Sequence, residues 1–128
     1  MAPQTTLQML VVDDDPGILS ALIHLLQHDG HTVQTATDGQ AALAHLQERN
    51  YNLVLCDLLM PELDGQTLYG LLLQQSPALC QRIIFLTGDT LGVDSQAFLA
   101  QCGQPWIPKP CSIAEVRTAM AQVLHAPV

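Results

Sequence analysis

Five short apolar runs alternate along the chain with longer stretches in which apolar residues recur every three or four positions. The short runs are typical of strands buried on both faces, and the longer stretches are typical of amphipathic helices. The last run is weak, because Pro108 has no N–H to donate and fits only at a sheet edge. The predicted strands cover residues 7–12, 32–36, 53–56, 83–86 and 106–108.

Capping residues and helix breakers set the bounds of the predicted helices. Asp15 before Pro16, and Asp38 further along, have the character of N-cap residues, and Ser112 with Glu115 has the spacing of a capping box. The predicted helices run from 16 to a stop at Gly30, from 39 to 48, from 67 to a stop at Pro77, from 94 to a stop at Gly103, and from 113 to about 125.

This (βα)₅ alternation predicts an α/β fold with a five-stranded parallel sheet covered by helices on both faces. Right-handed crossovers favour the doubly wound strand order 2-1-3-4-5. The 128 residues are expected to form a single domain over residues 1–128, with its core at about 7–125. In such a sheet a ligand site lies beyond the carboxyl ends of the strands, where strands 1 and 3 meet.

Composition and charge limit the classes of function expected for this chain. Four basic and twelve acidic residues give a net charge of −8, which disfavours direct nucleic-acid binding. No apolar run is long enough to span a bilayer and no signal peptide is visible, so we expect a cytoplasmic protein with reduced cysteines. Only 12% of the residues are charged, which leaves open whether a protein partner or a Gln-rich surface replaces the missing charges.

Polar residues that are suited to act together in one site follow four of the predicted strands. Three are carboxylates, one is a hydroxyl, and one is the only lysine of the chain: Asp13, Asp14, Asp57, Thr87 and Lys109. Clustered carboxylates repel one another unless a cation neutralises them, and hard oxygen ligands at an open site favour Mg²⁺. Phosphoryl transfer needs mainly positioning and charge neutralisation, and this set of groups is suited to both.

Four motifs carry a family resemblance that extends over essentially the whole chain. They are LVVDDDP at residues 10–16, LCDLLMPELDG at 55–65, FLTG at 85–88 and IPKP at 107–110. In this order and spacing the chain resembles the receiver domains of two-component response regulators. The resemblance implies the flavodoxin-like, CheY-like arrangement of the same sheet.

The resemblance also implies a role for each strand-end residue. Asp57 would be the nucleophile that takes a phosphoryl group from a partner phosphohistidine. Mg²⁺ would be bound directly by Asp14 and Asp57, by Asp13 through water, and by Leu59 through its backbone carbonyl.

Three further residues would respond to the phosphoryl group. Lys109 would pair with it, and Thr87 would move toward it after transfer. Trp106 lies where the family has its switch aromatic, usually Tyr or Phe, and would rotate with Thr87. The larger ring of Trp106, and Pro108 before the lysine, depart from the family pattern.

Partners and context follow from the same resemblance. We expect a histidine kinase or a histidine phosphotransfer domain as donor, no nucleic acid, no membrane insertion, and a signalling domain that catalyses its own phosphorylation rather than an enzyme. A homodimer through the last two helices is left open. Residues 85–110 are similar to receivers fused behind histidine kinases, so a hybrid sensor kinase is one parentage and a free-standing regulator the other.

Two other functional classes remain as alternatives. A phosphorylation-independent binding module on the same fold would be expected to have lost acidic or lysine positions, and all are present. An aspartate-nucleophile phosphatase of the haloacid dehalogenase type needs a second aspartate two residues after the nucleophile, where this chain has Leu59.

The remaining candidate residues are interpreted as structural. His24 and His28, four residues apart near His31, are interpreted as a hydrated helix flank rather than a metal site. The apolar run 68–73 is interpreted as core with some incidental exposure, with a docking face as the alternative. Three arginines are scattered in sequence and are interpreted as separate surface charges: Arg49, Arg82 and Arg117.

Overall fold

A computed structural model describes residues 6–59, 65–88, 92–109 and 111–124 of the chain. Its five strands form one parallel sheet in the order β2-β1-β3-β4-β5, which confirms the predicted doubly wound topology. Residues 60–64 and the predicted end of the last helix at 125 lie outside the described residues. The strands are β1 (Gln8–Val12), β2 (Thr32–Ala36), β3 (Leu53–Asp57), β4 (Ile83–Thr87) and β5 (Trp106–Pro108).

Six helices lie within the described ranges, one more than the sequence pattern predicts. They are α1 (Pro16–His28), α2 (Gly39–Glu48), α3 (Gly65–Gln75), α4 (Pro77–Cys80), α5 (Val93–Cys102) and α6 (Ile113–Leu124). None of them has the length and apolar character needed to cross a bilayer.

The additional helix is the single turn α4, which directly follows α3. In the sequence pattern Pro77 indicates only the end of a helix, but a proline also fits the first turn of a new helix, where its missing N–H costs nothing. The N–H groups of Leu79 and Cys80 donate to the carbonyl of Ser76, and the Cys80 side chain is buried. Four residues are too few for a visible helical period, so the pattern could not reveal this turn.

Alternation of side chains along the strands divides the core into two halves. In β1, Met9 and Val11 face α1 and α6, whereas Leu10 and Val12 face α2 to α5. β3 and β4 alternate in the same way, and all five residues of each of these strands are buried. The sheet is therefore enclosed on both faces, so the ends of its strands are the places where polar groups can gather.

The predicted caps are confirmed. Oδ1 of Asp15 accepts the N–H of Gly17 at 2.8 Å, and Oδ1 of Asp38 accepts that of Ala41 at 2.7 Å. At the start of α6, Ser112 and Glu115 exchange both bonds of the capping box. These caps fix where α1, α2 and α6 begin relative to the strands that precede them.

The edge strand β5 carries Lys109 into position despite Pro108. The proline occupies the outer edge of the sheet, opposite Thr87 in the register. The next N–H, that of Lys109, donates to the carbonyl of Thr87 at 2.7 Å and restores the ladder. The lysine is thereby fixed beside the carboxyl end of β4.

Gly30 and Gly70 offer a matched test of backbone conformation. Gly30 ends α1 at φ 94°, where the N–H of Gly30 bonds to Gln27 and that of His31 to Leu26, whereas Gly70 lies inside α3. Neither position would bring an added Cβ within 4 Å of another atom.

We therefore expect Gly30→Ala to lower the free energy of unfolding by about 1–2 kcal/mol, because it forces a left-handed alanine. Gly70→Ala should raise the same quantity by about 0.5–1 kcal/mol. Urea unfolding of both variants measures the difference. Effects of the same sign would contradict this account of the end of α1.

Candidate functional site

The sheet brings the predicted polar residues together at one edge. β1 and β3 are neighbours with Val12 opposite Cys56, so the residues that follow them, Asp13 and Asp57, lie side by side. Thr87 ends the adjacent strand β4. All three side chains are buried, and apart from Tyr51 they are the buried polar side chains among the described residues. Burying polar groups in this way is unfavourable unless partners compensate.

Lys109 provides that compensation for both carboxylates. Its Nζ donates to Oδ2 of Asp13 at 3.2 Å and to Oδ2 of Asp57 at 3.1 Å. The lysine side chain is itself only 17% exposed, so solvent screens both ion pairs weakly. One ammonium therefore bridges two carboxylates that would otherwise repel each other. The sequence predicts Lys109 at this position but not its double contact.

Hydrogen bonds orient the two carboxylates further. The second oxygen of Asp57 accepts the N–H of Leu59 at 3.3 Å, and the second oxygen of Asp13 accepts that of Asp15 at 2.9 Å. The same Asp15 caps α1, so the first turn of that helix and the site share one anchor.

Burial and charge shift the protonation of the central pair. Burial raises the pKa of Asp57, the neighbouring Asp13 carboxylate raises it further, and Lys109 opposes both effects. Burial of the ammonium opposes the rise in the pKa of Lys109, but the Asp57 and Asp13 carboxylates outweigh it. Asp57 is thus a carboxylate whose charge is incompletely compensated by this chain's own residues.

Three carboxylates form a group that could hold a metal ion. Oxygen atoms of Asp13, Asp14 and Asp57 lie within 4.8 Å of one another, and Asp14 is exposed while the other two are buried. The donor set consists of hard oxygens and is open to solvent on one side, which fits a cation that keeps part of its water shell. Burial first, and then the Asp13 carboxylate, raise the pKa of Asp57, and a bound cation would oppose both effects. The three carboxylates are the only such group of His, Cys, Asp or Glu found among the described residues.

Thr87 and Trp106, the predicted switch pair, differ in their surroundings. Thr87 is 1% exposed, and its hydroxyl donates to the carbonyl of Ile107 at 3.5 Å. Trp106 is 46% exposed on the edge strand, and surface hollows on both sides of it are lined by α5 and α6.

Leu59, two residues after Asp57, is exposed to solvent. The Leu59 side chain is 54% exposed, and the chain that follows, residues 60–64, lies outside the described residues.

Gly65 supports the site in a way that the sequence analysis missed. A Cβ at this position would lie 2.7 Å from the carbonyl oxygen of Asp57 and 3.0 Å from Cα of Leu58. The N–H of Gly65 also donates to the carbonyl of Leu58 at 3.0 Å. Only glycine lets α3 start this close to the end of β3. The Asp-Gly pair at 64–65 was the available signal, but it indicated only a turn.

The other candidate residues make contacts that belong to the fold rather than to the site. Nδ1 of His31 accepts the N–H of Leu7 at 3.2 Å, so this histidine ties β1 to the end of α1. In the apolar run of α3, Leu68 and Leu72 are buried and Leu73 is 53% exposed, so one side of the run is core, and a docking face stays the alternative for its exposed side. Arg117 forms a two-pronged ion pair with Asp29, at 2.9 and 2.7 Å.

Comparisons with known proteins agree on one family. The family described as "Response regulator receiver domain" matches residues 9–121. The chain is 31% identical over 117 residues to the probable transcriptional regulatory protein TcrX of Mycobacterium tuberculosis, covering 91% of this chain and 49% of that protein. It is 29% identical to the sensor kinase CckA of Brucella abortus, covering 91% of this chain and 12% of the kinase.

A solved structure extends this similarity to the fold. The signal receiver domain of an HD domain-containing protein from Pseudomonas fluorescens Pf-5 superposes with a TM-score of 0.83 at 31% identity, covering 94% of this chain and 95% of that one. The chain spans about half the length of TcrX and of a second curated relative, PhoP of Bacillus subtilis.

The raised pKa of Asp57 predicts how the stability of the metal-free chain depends on pH. Because the folded-state pKa lies above the unfolded one, ionisation of Asp57 destabilises the fold once the pH exceeds both values. This cost disappears as the pH falls below the unfolded value. Asp57→Asn removes the charge and keeps an oxygen that can accept from Lys109.

With a chelator present, we therefore expect Asp57→Asn to melt at a higher temperature than the wild type at neutral pH. The gap should close as the pH falls toward 3.8, the ordinary value for this carboxyl. Asp38→Asn is the control, since Asn and Asp are equally good N-caps. A variant that melts below the wild type across the whole range would contradict the assignment.

Proposed function

The chain belongs to the receiver-domain family of response regulators, and on that premise we propose that it is a phosphoacceptor in a two-component phosphorelay. Asp57 takes a phosphoryl group from a phosphohistidine, and the domain changes conformation in response. The observation that carries this proposal is the position of Asp57: a buried carboxylate at the end of a central strand, bonded to Lys109 and next to Asp13 and Asp14.

The transfer exchanges one bond for another. A carboxylate oxygen of Asp57 attacks phosphorus, and the new O–P bond forms as the P–N bond of the phosphohistidine breaks. The electron pair of the broken bond stays on the imidazole nitrogen, which takes up a proton from solvent. Lys109, already 3.1 Å from Asp57, compensates the negative charge that the incoming oxygens add. The domain thus catalyses its own phosphorylation.

Asp13, Asp14 and Asp57 would hold Mg²⁺, with the backbone carbonyl of Leu59 as a further ligand. When bound, the ion would neutralise the carboxylates and the phosphoryl oxygens, which is the charge that phosphoryl transfer has to stabilise. The close grouping of the three carboxylates and their incomplete compensation by Lys109 support this assignment.

A groove beside the acceptor offers the donor protein a place to dock. It has a volume of about 230 Å³ and runs between the first turns of α1 and the segment that carries Lys109 and Cys111. Ile18, Leu22 and Leu25 line it, and Leu25 is 37% exposed. An apolar surface next to Lys109 would bring a partner's helix, and its phosphohistidine, to Asp57. A histidine kinase or a histidine phosphotransfer domain fits this description.

The other functional classes are less well supported by the site. A binding module that works without phosphorylation has no need for the buried carboxylates and their lysine, whose burial is costly. A phosphatase would need an acid at position 59, where the half-exposed side chain is leucine.

The relatives indicate only in outline which kind of longer protein carries a domain of this type. Relatives include transcriptional regulators and a sensor kinase, so both a regulator and a hybrid kinase remain proposals for the longer context.

Thr87 and Trp106 would transmit the phosphorylated state. Thr87 is buried next to Asp57's strand, whereas Trp106 is half exposed on the adjoining edge strand. Movement of the Thr87 hydroxyl away from the Ile107 carbonyl and toward the phosphoryl group would free the backbone on which Trp106 stands. The exposed face between α5 and α6 would then change shape, and a second copy could dock there.

Phosphoryl uptake tests the acceptor directly. Incubated with acetyl phosphate and Mg²⁺, the wild-type chain should gain the mass of one phosphoryl group, measured on the intact protein. Asp57→Asn should gain none, because the nucleophile is lost, and a chelator should suppress uptake in the wild type. Asp38→Asn, which alters a capping aspartate outside the site, should behave as wild type. Labelling that survives in Asp57→Asn would refute the proposal.

Fluorescence of Trp106, the only tryptophan of the chain, tests the switch. Beryllofluoride with Mg²⁺ mimics the phosphoryl group, and it should change the emission intensity or maximum as the ring moves out of its half-exposed position. The Asp57→Asn variant should show no change under the same conditions. Identical spectra with and without beryllofluoride in a wild-type chain that still accepts phosphate would mean that Trp106 does not report the switch.

A further inference from the structure

A cavity lies at the end of the sheet opposite Asp57. It has a volume of about 330 Å³ and is formed by the end of α2, the segment between α2 and β3, the end of α3, and α4. Leu46, Leu72 and Leu79 give it apolar walls. Since strands rise about 3.3 Å per residue, the five-residue strand β3 separates it from the acceptor by roughly 17 Å. It is therefore a separate place on the molecule.

Two of the four cationic side chains of the chain line this cavity, Arg49 and Arg82. The other two are paired: Lys109 with Asp13 and Asp57, and Arg117 with Asp29. Within the described ranges neither Arg49 nor Arg82 forms an ion pair. The chain has twelve acidic residues and a net charge of −8. Two unpaired guanidinium groups at one cavity therefore make this place locally positive on a negatively charged protein.

Both arginines are fixed at the backbone and exposed at the side chain. The N–H of Arg49 donates to His45, and that of Arg82 donates to Leu79. The carbonyl of Arg82 accepts the N–H of Val54, which ties it to the start of β3. Their positions at the rim are thus set by the fold, while the exposed guanidinium groups can turn toward a ligand at little cost.

A buried hydroxyl without a partner lies among the same residues. Tyr51 lines the cavity and is 8% exposed, and its hydroxyl is the buried side-chain group that finds no hydrogen-bond partner among the described residues. A buried, unbonded hydroxyl is destabilising, so its retention points to a bond made in another state. The hydroxyl is closed from solvent, so a ligand that bonds to it requires the side chains that cover it to shift.

Electrostatics around Tyr51 favour an anion. Burial raises the pKa of the phenol, Arg49 lowers it, and Glu48 raises it again by a smaller amount. Arg49 therefore outweighs the nearby carboxylate of Glu48, which is not among the residues lining the cavity. Arginine presents a planar fork that matches the oxygens of a carboxylate or a phosphate, and a phenol can donate a further bond to them.

We propose that this cavity binds a small organic anion: a carboxylate or phosphate group held by Arg49, Arg82 and the hydroxyl of Tyr51, on an apolar body that packs against Leu46, Leu72 and Leu79. The volume is at the lower end of the range for ligand sites, so the ligand is small. Asp57 takes no part in this site.

Calorimetric titration of the full chain with four probes tests the ligand class, with a chelator present to keep the acceptor metal-free. Phenyl phosphate and phenylacetate each combine an anion with an apolar ring, and at least one of them should bind. Which of the two binds more tightly distinguishes phosphate from carboxylate. Inorganic phosphate lacks the ring and benzyl alcohol lacks the charge, so each should bind at least about tenfold more weakly than the better aromatic anion.

Three variants test the residues. Arg82→Gln and Arg49→Gln should each weaken binding of the better probe by about tenfold, through loss of a charged hydrogen bond. Arg117→Gln, an arginine paired elsewhere, should leave binding unchanged. Tyr51→Phe should weaken binding while its melting temperature stays equal to or above that of the wild type, because the deleted hydroxyl has no partner in the free protein.

Weaker binding by Tyr51→Phe without a lower melting temperature distinguishes a binding role of the hydroxyl from a structural one. Absence of binding by both aromatic anions at millimolar concentration would overturn the proposal. So would binding that Arg82→Gln and Tyr51→Phe leave unchanged, or binding that Arg117→Gln weakens equally.

Discussion

A single ammonium group bridging two buried carboxylates is the interaction on which the rest of the site depends. Asp13 and Asp57 follow neighbouring strands, so a parallel sheet forces their charges together. Lys109 bonds to both, at 3.2 and 3.1 Å, and reaches them from a third strand-end loop. One positive charge against two negative ones leaves the site short of positive charge, and burial together with the neighbouring Asp13 carboxylate raises the pKa of Asp57. A site with this deficit is suited to cations.

Backbone contacts fix the position of Lys109. The lysine follows an edge strand of three residues whose last residue, Pro108, cannot donate. The bond from the N–H of Lys109 to Thr87 holds the chain at the point where the ladder would otherwise end. At the other side of the site, Gly65 allows α3 to start against the carbonyl of Asp57. The site is therefore held by main-chain geometry around it as much as by its own ion pairs.

The two ends of the sheet carry different chemistry. At the carboxyl end, carboxylates and a lysine form a compact group suited to metal and phosphoryl oxygens. At the amino end, the arginines that line the cavity have no acidic partner within the described ranges, and a phenol is left without a bond. Separation by the length of β3 means that substitutions at one end leave the contacts of the other intact.

The sequence by itself determined the strand order, the caps and the set of polar residues at the strand ends. These follow from local pattern: apolar runs, spacing of Asp15, Asp38 and Ser112, and the rule that parallel strands end at one edge. The helical turn α4 was missed because four residues show no period, and the role of Gly65 was missed because a turn signal does not indicate what packs against it.

Tertiary structure alone decided which distant side chains make direct contact. Lys109 contacts Asp13 across 96 residues of sequence, and Arg49 and Arg82, interpreted from sequence as separate surface charges, line one cavity. Local pattern predicts which residues lie at one edge of the sheet, but not which atoms come within bonding distance. Those contacts depend on the reach and packing of each side chain, which only the folded structure defines.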